Sequence, residues 1–302
     1  MASTIKLAVL SAVLSQTNAL CPAELRNYGC KCDYVKNGRR VDCSNRNLYE
    51  IPPGIPSDVQ FLDLSQNHLS QLGEGLAPFT DLLRLNVSFN EIVGVNQANF
   101  DMLKKMEYLD LAFNSLAGPN AVETGLLNQN PALLHAYFSH SRITYLPTLF
   151  GQQNSAVRVL GFDHNLIETI PDDFFQYIPG VKAVTFRFNL FSNWPVGICN
   201  LDFVELLDMA QQNFTSIAFP ASCNPYKSVN RLDLYRVVFH ECHITGAVAA
   251  APAPVLGHFG TCWGKNRNFG NFDFFSENVS KISSFGKGFT QNPILTIFVT
   301  FL

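Results

Sequence analysis

The sequence predicts an α/β solenoid, a curved horseshoe in which each coil lays one short strand into a parallel sheet on the concave face. Few short helices or 3-10 turns are expected on the convex face. Three observations carry this prediction: one leucine-bearing pattern recurs eight times, its copies are almost evenly spaced, and the 302-residue chain is 47% hydrophobic but only 15% charged. Self-similarity at such a period marks a stacked array rather than a single compact core.

The pattern is L-x-x-L-x-L-x-x-N-x-L. It fits Val59 to Leu69, Leu82 to Ile92, Met106 to Leu116, Leu133 to Ile143, Val157 to Ile167 and Val181 to Phe191, and more loosely Val204 to Phe214 and Val229 to Phe239. Its asparagine position falls at Asn67, Asn90, Asn114, Ser141, Asn165, Asn189, Gln212 and Val237, at steps of 23, 24, 27, 24, 24, 23 and 25 residues.

Each part of the pattern has a physical reason. Alternation in the L-x-L core makes a strand whose leucines point inward while the x residues face out. No coil can bury its apolar face alone, so neighbours must stack. The asparagine stands where the chain bends after the strand, and its amide both donates and accepts, so it can satisfy backbone groups of its own and the adjacent coil. Ser141 and Gln212 can do part of this; Val237 cannot, which places the frayed end of the array there.

Ahead of the array, Lys6, the apolar run Leu7 to Leu14 and the small residues Thr17-Asn18-Ala19 read as an export signal over residues 1–19. All eight cysteines lie beyond it, at Cys21, Cys30, Cys32, Cys43, Cys199, Cys223, Cys242 and Cys262. An even count behind an export signal favours disulfides over metal ligation. The single residue between Cys30 and Cys32 is shorter than a zinc knuckle needs, and no histidine falls between Cys21 and Cys43.

These residues resemble the extracellular leucine-rich-repeat family, in the subtype with about 24 residues per unit. Several coils carry its convex-side phenylalanine, at Phe79, Phe100, Phe150 and Phe175. Cys21 to Cys43, followed by Leu48, Ile51, Pro52 and Ile55, is similar to the family's cysteine-bearing N-terminal cap. The resemblance implies that the first cysteine pairs with the third and the second with the fourth, Cys21 with Cys32 and Cys30 with Cys43. It also implies a protein-binding module. The chain is thus expected to comprise a signal over 1–19, a cap over 20–57, about eight repeats over 58–245, and an Ala/Pro linker with a phenylalanine-rich tail over 246–302.

The later cysteines follow from register. Cys199 and Cys223 stand ten and eleven residues after Asn189 and Gln212, the same place on consecutive coils, which suits a staple between them. Cys242 aligns with the core positions Leu72, Val95, Leu146, Ile170, Trp194 and Ile217; it is either a buried thiol or bonded to Cys262. The apolar end, Ile294 to Leu302, is too short for a membrane helix. A buried strand, a truncated end and a lipid-anchor signal using Ser283, Ser284 and Gly286 are its three readings.

Function is expected on the outward x residues. Tyr108, Asp110, His135, Tyr137, Asp163, Arg187, Asp208, Arg231, Asp233 and Tyr235 supply the ring, guanidinium and carboxylate groups that interfaces favour. Sequons at Asn86, Asn213 and Asn278 are the expected glycosylation sites, and a glycan at Asn86 would cover the face around the second coil. His135, His140, Asp163 and His164 fall on neighbouring strands, but no metal site is assigned to them and no cofactor is expected. A net charge of -3 argues against a nucleic-acid partner held by bulk electrostatics. No nucleophile elbow, phosphate loop or catalytic carboxylate pair is legible, so the chain is read as no enzyme. It is expected to be secreted or extracellular on the cell surface, reaching membrane only through the C-terminal anchor reading, and to recognise a protein or glycoprotein. The alternatives are a structural matrix protein and an inhibitor of a secreted enzyme.

Overall fold

The computed structural model describes residues 21–35, 38–201 and 204–214, together with the backbone of four further strands, 217–218, 231–233, 244–245 and 296–298. The export signal, Cys223, Cys242, Cys262, Tyr235, Asn278 and the anchor residues Ser283, Ser284 and Gly286 lie outside the described residues.

The chain opens with one helical turn, α1 (Ala23–Asn27), then an antiparallel hairpin of β1 (Lys31–Val35) and β2 (Gly38–Asp42). Gly29 ends the turn with left-handed backbone at φ 75°, a conformation that costs glycine little, and its carbonyl accepts from Arg46 Nε at 2.7 Å. Disulfides join Cys21 to Cys32 and Cys30 to Cys43, the two pairings implied by the resemblance. They tie both flanks of α1 to the hairpin, over the buried side chain of Leu25.

Beyond the hairpin the chain is a solenoid of parallel strands with very little helix, and it forms two compact units. The first unit, up to residue 143 with 149–157, carries β3 (Val59–Asp63), β4 (Arg84–Asn86), β5 (Tyr108–Asp110) and β6 (His135–Tyr137). β2 leads into this sheet, pairing in parallel with β3, and each strand then pairs in parallel with the next. The second unit, 144–148 with 158 onward, carries β7 (Val159–Gly161), β8 (Ala183–Thr185), β9 (Leu206–Asp208), β10 (Ile217–Ala218), β11 (Arg231–Asp233), β12 (Ile244–Thr245) and β13 (Thr296–Phe298). β7, β8, β9 and β11 pair in that order, β13 lies parallel to β11, and β10 pairs with β12. Thr296–Phe298 is thus described as strand backbone, and the rest of the apolar end lies outside the described residues.

The inward positions are buried throughout, as at Leu62, Leu85 and Leu109 in the first unit and Leu160, Val184 and Leu207 in the second. Each such side chain contributes roughly 1.5–3 kcal/mol. Many of the 26 phenylalanines are spent here. Phe79, Phe100, Phe150 and Phe175 are buried at the predicted positions, while Phe138, Phe162, Phe186, Phe191 and Phe214 replace aliphatic residues of the pattern.

The asparagines act as the pattern requires. Asn90 Nδ2 donates to the carbonyls of Leu64, Val87 and Ser88, and its Oδ1 accepts from Leu69 N. Asn67, Asn114 and Asn189 repeat the arrangement. Ser141 Oγ reaches the Leu111 carbonyl at 2.9 Å and Gln212 Nε2 the Phe186 carbonyl at 2.6 Å, the partial substitution expected of them. Val237 lies outside the described residues.

Candidate binding face

Strand register fixes which outward side chains are neighbours. In the first unit one row runs Arg40, Phe61, Arg84, Tyr108, His135, and a second runs Asp42, Asp63, Asn86, Asp110, Tyr137. Four predicted site residues, Tyr108, Asp110, His135 and Tyr137, therefore fall together.

Tyr108 is their centre. Its ring lies 5.5 Å from that of Tyr137 and 6.3 Å, edge-on, from that of His135. The Arg84 guanidinium covers it at 5.3 Å, within the range of cation–π attraction. Its hydroxyl donates to Asp110 Oδ2 at 3.2 Å, while Asp110 Oδ1 accepts from Ala112 N at 3.0 Å. Burial and then the Asp110 charge push the Tyr108 phenol up to about 12. Burial, with the same carboxylate, also raises Tyr137. Asp110 is itself raised, by burial and by the charge of Asp63, against the hydrogen bonds it accepts. Such phenols hold their protons at neutral pH, the reverse of an activated nucleophile. What they offer is ring area with a hydrogen-bonding tip.

Asp42, Asp63 and Asn86 of the second row each close a tight turn at the end of their strand with their own side chain. Asp42 Oδ1 accepts from the amide and hydroxyl of Ser44, Asp63 Oδ1 from those of Ser65, and Asn86 Oδ1 from those of Ser88. The sequon at Asn86 is thus also a structural turn. Asn86 is half-buried, with Nδ2 3.3 Å from Asp63 Oδ2, rather than projecting freely from the face. Asn213 is exposed, and Thr215 of its sequon lies outside the described residues.

In the second unit Asp163, Arg187 and Asp208 form a chain of contacts. Asp163 accepts from Thr185 Oγ1 at 2.9 Å and from Arg187 N at 2.8 Å, and Arg187 Nε lies 3.5 Å from Asp208 Oδ2. Asp208 is only 7% exposed and accepts from Ala210 N; it positions Arg187 and the strand end more than it meets solvent. Arg231 and Asp233 occupy the next strand, β11, as backbone. Cys199 is disulfide-bonded.

One feature escaped the sequence reading. The residue before each pattern asparagine has left-handed backbone: Gln66, Phe89, Phe113, His140, His164, Phe188 and Gln211. In the first unit Phe89, Phe113 and His140 stack with centroids 4.1 and 4.2 Å apart, and in the second His164 stacks on Phe188 at 4.1 Å. His140 and His164 are therefore members of ring stacks. The legible signal was the recurrence of aromatic residues at that single position of five consecutive coils.

The bridged cap and the asparagine-laddered coils define a leucine-rich-repeat protein with a cysteine-bearing N-terminal cap. Residues 27–56 match the family described as leucine rich repeat N-terminal domain. Over 93 residues the chain is 36% identical to Tsukushi-A of Xenopus laevis, covering 28% of this chain and 26% of that protein. It is 38% identical over 73 residues to the oligodendrocyte-myelin glycoprotein of Mus musculus (24% and 15% of the two chains), and 33% identical over 108 to leucine-rich repeat-containing protein 3B of Danio rerio (34% and 40%). The matched part thus spans less than half the length of each of these relatives.

Proposed function

We propose that this chain is an exported binding module, secreted or held at the cell surface, that recognises a protein or glycoprotein through the outward face of its strands. The observation that carries the reading is the Tyr108, His135 and Tyr137 cluster. Three large polar-tipped rings stand on adjacent strands, outside the core, in a fold whose stability comes from the opposite faces of those strands. Tyrosine at such a place adds contact area at small entropic cost. The bridged cap and the resemblance to a protein named as a myelin glycoprotein support export.

Photocrosslinking tests this. With benzoylphenylalanine at His135, a partner on intact cells or in extracellular matrix is expected to crosslink. With the same group at the exposed Met102, away from the strands, it is not. Crosslinking from Met102 alone would overturn the assignment of the face.

A further inference from the structure

Large apolar side chains gather in the open along one edge of the second unit. Leu166, Phe188 and Leu190 are 43%, 41% and 46% exposed. They flank Asn165 and Asn189, whose own side chains are buried in the ladder; as each asparagine points in, its neighbours point out. His164, Phe188 and Gln211 hold one position of three consecutive coils, all with left-handed backbone. Leu166, Leu190 and Asn213 hold the position two residues on. Exposed apolar side chains scattered singly are ordinary, whereas a cluster marks a surface that is covered in the working protein.

The third of these coils identifies the cover. Asn213 is exposed, and among the described residues no group hydrogen-bonds its amide. It opens the sequon Asn213-Phe214-Thr215. The residues on either side of it, Gln212 and Phe214, are fully buried. Gln212 Nε2 donates to the Phe186 carbonyl, and the Phe214 ring lies 6.4 Å from that of Trp194. These two anchors turn Asn213 outward, whereas Asn86 is half-buried and holds Ser88. Phe188 ends its ring stack beside this coil. One face meets His164 at 4.1 Å, and the next coil carries Gln211, not a ring, at the matching position.

We propose that Asn213 carries an N-linked glycan whose first sugars lie back over Leu190, Phe188 and Leu166, so that the chain's own carbohydrate covers the patch. The inference rests on the reading that the chain is exported. Attachment joins Asn213 Nδ2 to the anomeric carbon of an oligosaccharide carried on a lipid pyrophosphate; the amide loses a proton and the lipid pyrophosphate departs. Coils stack at about the strand spacing of 4.8 Å, so the glycan starts one step from Leu190 and two from Leu166. A pyranose presents faces of C–H groups, whose slight positive charge suits the negative face of a ring. Within the second unit this leaves recognition to the strand face rather than to its edge.

The test uses the full chain secreted from cultured mammalian cells, with hydroxyl-radical footprinting read by mass spectrometry. Peptide mapping is expected to find the glycan at Asn213. Asn213→Gln removes it, and so does Thr215→Ala, which keeps the asparagine. In both variants oxidation of Phe188 and Leu190 should rise roughly threefold, toward that of open side chains. Tyr145, exposed on an earlier coil of the same unit, should not change.

Secreted protein with Asn213 unmodified would overturn the proposal and leave export standing. A chain retained in cells with no glycan at any sequon overturns both. Equal oxidation of Phe188 and Leu190 with and without the glycan also overturns the proposal: low values in both would give the patch to another occupant, such as a second copy, and high values would leave it bare. A rise at Tyr145 matching that at Phe188 would reduce the effect to general loosening and overturn it as well.

Discussion

The rings of Phe113 and His140 lie face to face, their centroids 4.2 Å apart and their planes within 7°, although both residues hold left-handed backbone at φ 56°. For residues with a Cβ that conformation costs about 1–2 kcal/mol. Phe89 stacks on the other side of Phe113 at 4.1 Å, and each such contact contributes about 0.5–1.5 kcal/mol. The two contacts therefore roughly offset the backbone cost at Phe113. Phe113→Ala keeps the strain and loses both contacts, so urea unfolding should show a loss of about 1–2 kcal/mol. Phe113→Asn should recover part of it, because asparagine tolerates the left-handed region. An alanine variant as stable as the parent would show that the stack contributes nothing.

Asn90 is the clearest test of the ladder. It is buried, and it serves three carbonyls and one amide across adjacent coils. Asn90→Ala leaves the Leu69 amide unpaired away from water, at roughly 1–3 kcal/mol, and removes one of two donors from each of three carbonyls, which Asn67, Asn114 and the Gln66 amide still serve. We expect a loss of about 2–4 kcal/mol in chemical denaturation. Glu91→Ala, one residue on and exposed, should cost well under 1 kcal/mol by loss of its contact with His68.

The sequence made the inward half of this structure legible because burial there is periodic. Leu62, Leu85 and Leu109 recur at a fixed step, and so do Asn67, Asn90 and Asn114, since each coil faces the same environment. The outward half carries no such constraint. That Tyr108 and Tyr137 share a patch follows from register and could be read off. That Asp208 is buried against Arg187, or that Asn86 closes a turn with Ser88, depends on side-chain direction at the strand end, where the x positions no longer simply alternate into solvent. The stack of Phe89, Phe113 and His140 was missed for a related reason. Its residues look like ordinary loop positions until the left-handed backbone turns their rings into line.

The cap should depend on its bridges. Cys30 and Cys43 close a loop with a separation of 13 residues, for which the chain-entropy account gives about 3 kcal/mol. Cys30→Ser with Cys43→Ser should lower stability by about that amount, and limited proteolysis should then cut first within the Gly38–Asp42 strand. Unchanged proteolysis would mean that packing around Leu25 holds the cap without the bridge.

Peptide mapping after enzymatic deglycosylation should find Asn86 converted to aspartate. Asn86→Asp in the expressed chain should then lower the apparent mass by one glycan while leaving the fold intact, because Asp63 closes the same turn one strand away with the same serine contacts. An unmodified Asn86 in exported protein would free the second coil for contact and extend the docking face to β4.

Two aspartates of one row should respond to pH in opposite senses. At Asp42, burial raises the carboxyl, but the Ser44 hydroxyl and amide with Arg40 and Arg46 outweigh it, so the group titrates below its ordinary value. At Asp110, burial prevails and the charge of Asp63 adds to it, so the group titrates above. Asp42 thus releases its proton more readily folded than unfolded. The stability it contributes is present above its unfolded value and is lost as pH falls through the lowered folded one. Asp110 holds its proton more tightly when folded, so its charge costs stability at neutral pH, and that cost is relieved as pH falls through its raised value. Asp42→Asn should therefore destabilise the protein at neutral pH and Asp110→Asn should stabilise it. Because both groups are partly in contact with water, the effects should be modest. The Asp110 difference should fade first on acidification and the Asp42 difference only at lower pH. Urea unfolding of both variants from neutral pH downward measures this directly. The same sign in both would mean that the turn contacts, rather than burial, govern Asp110 as well.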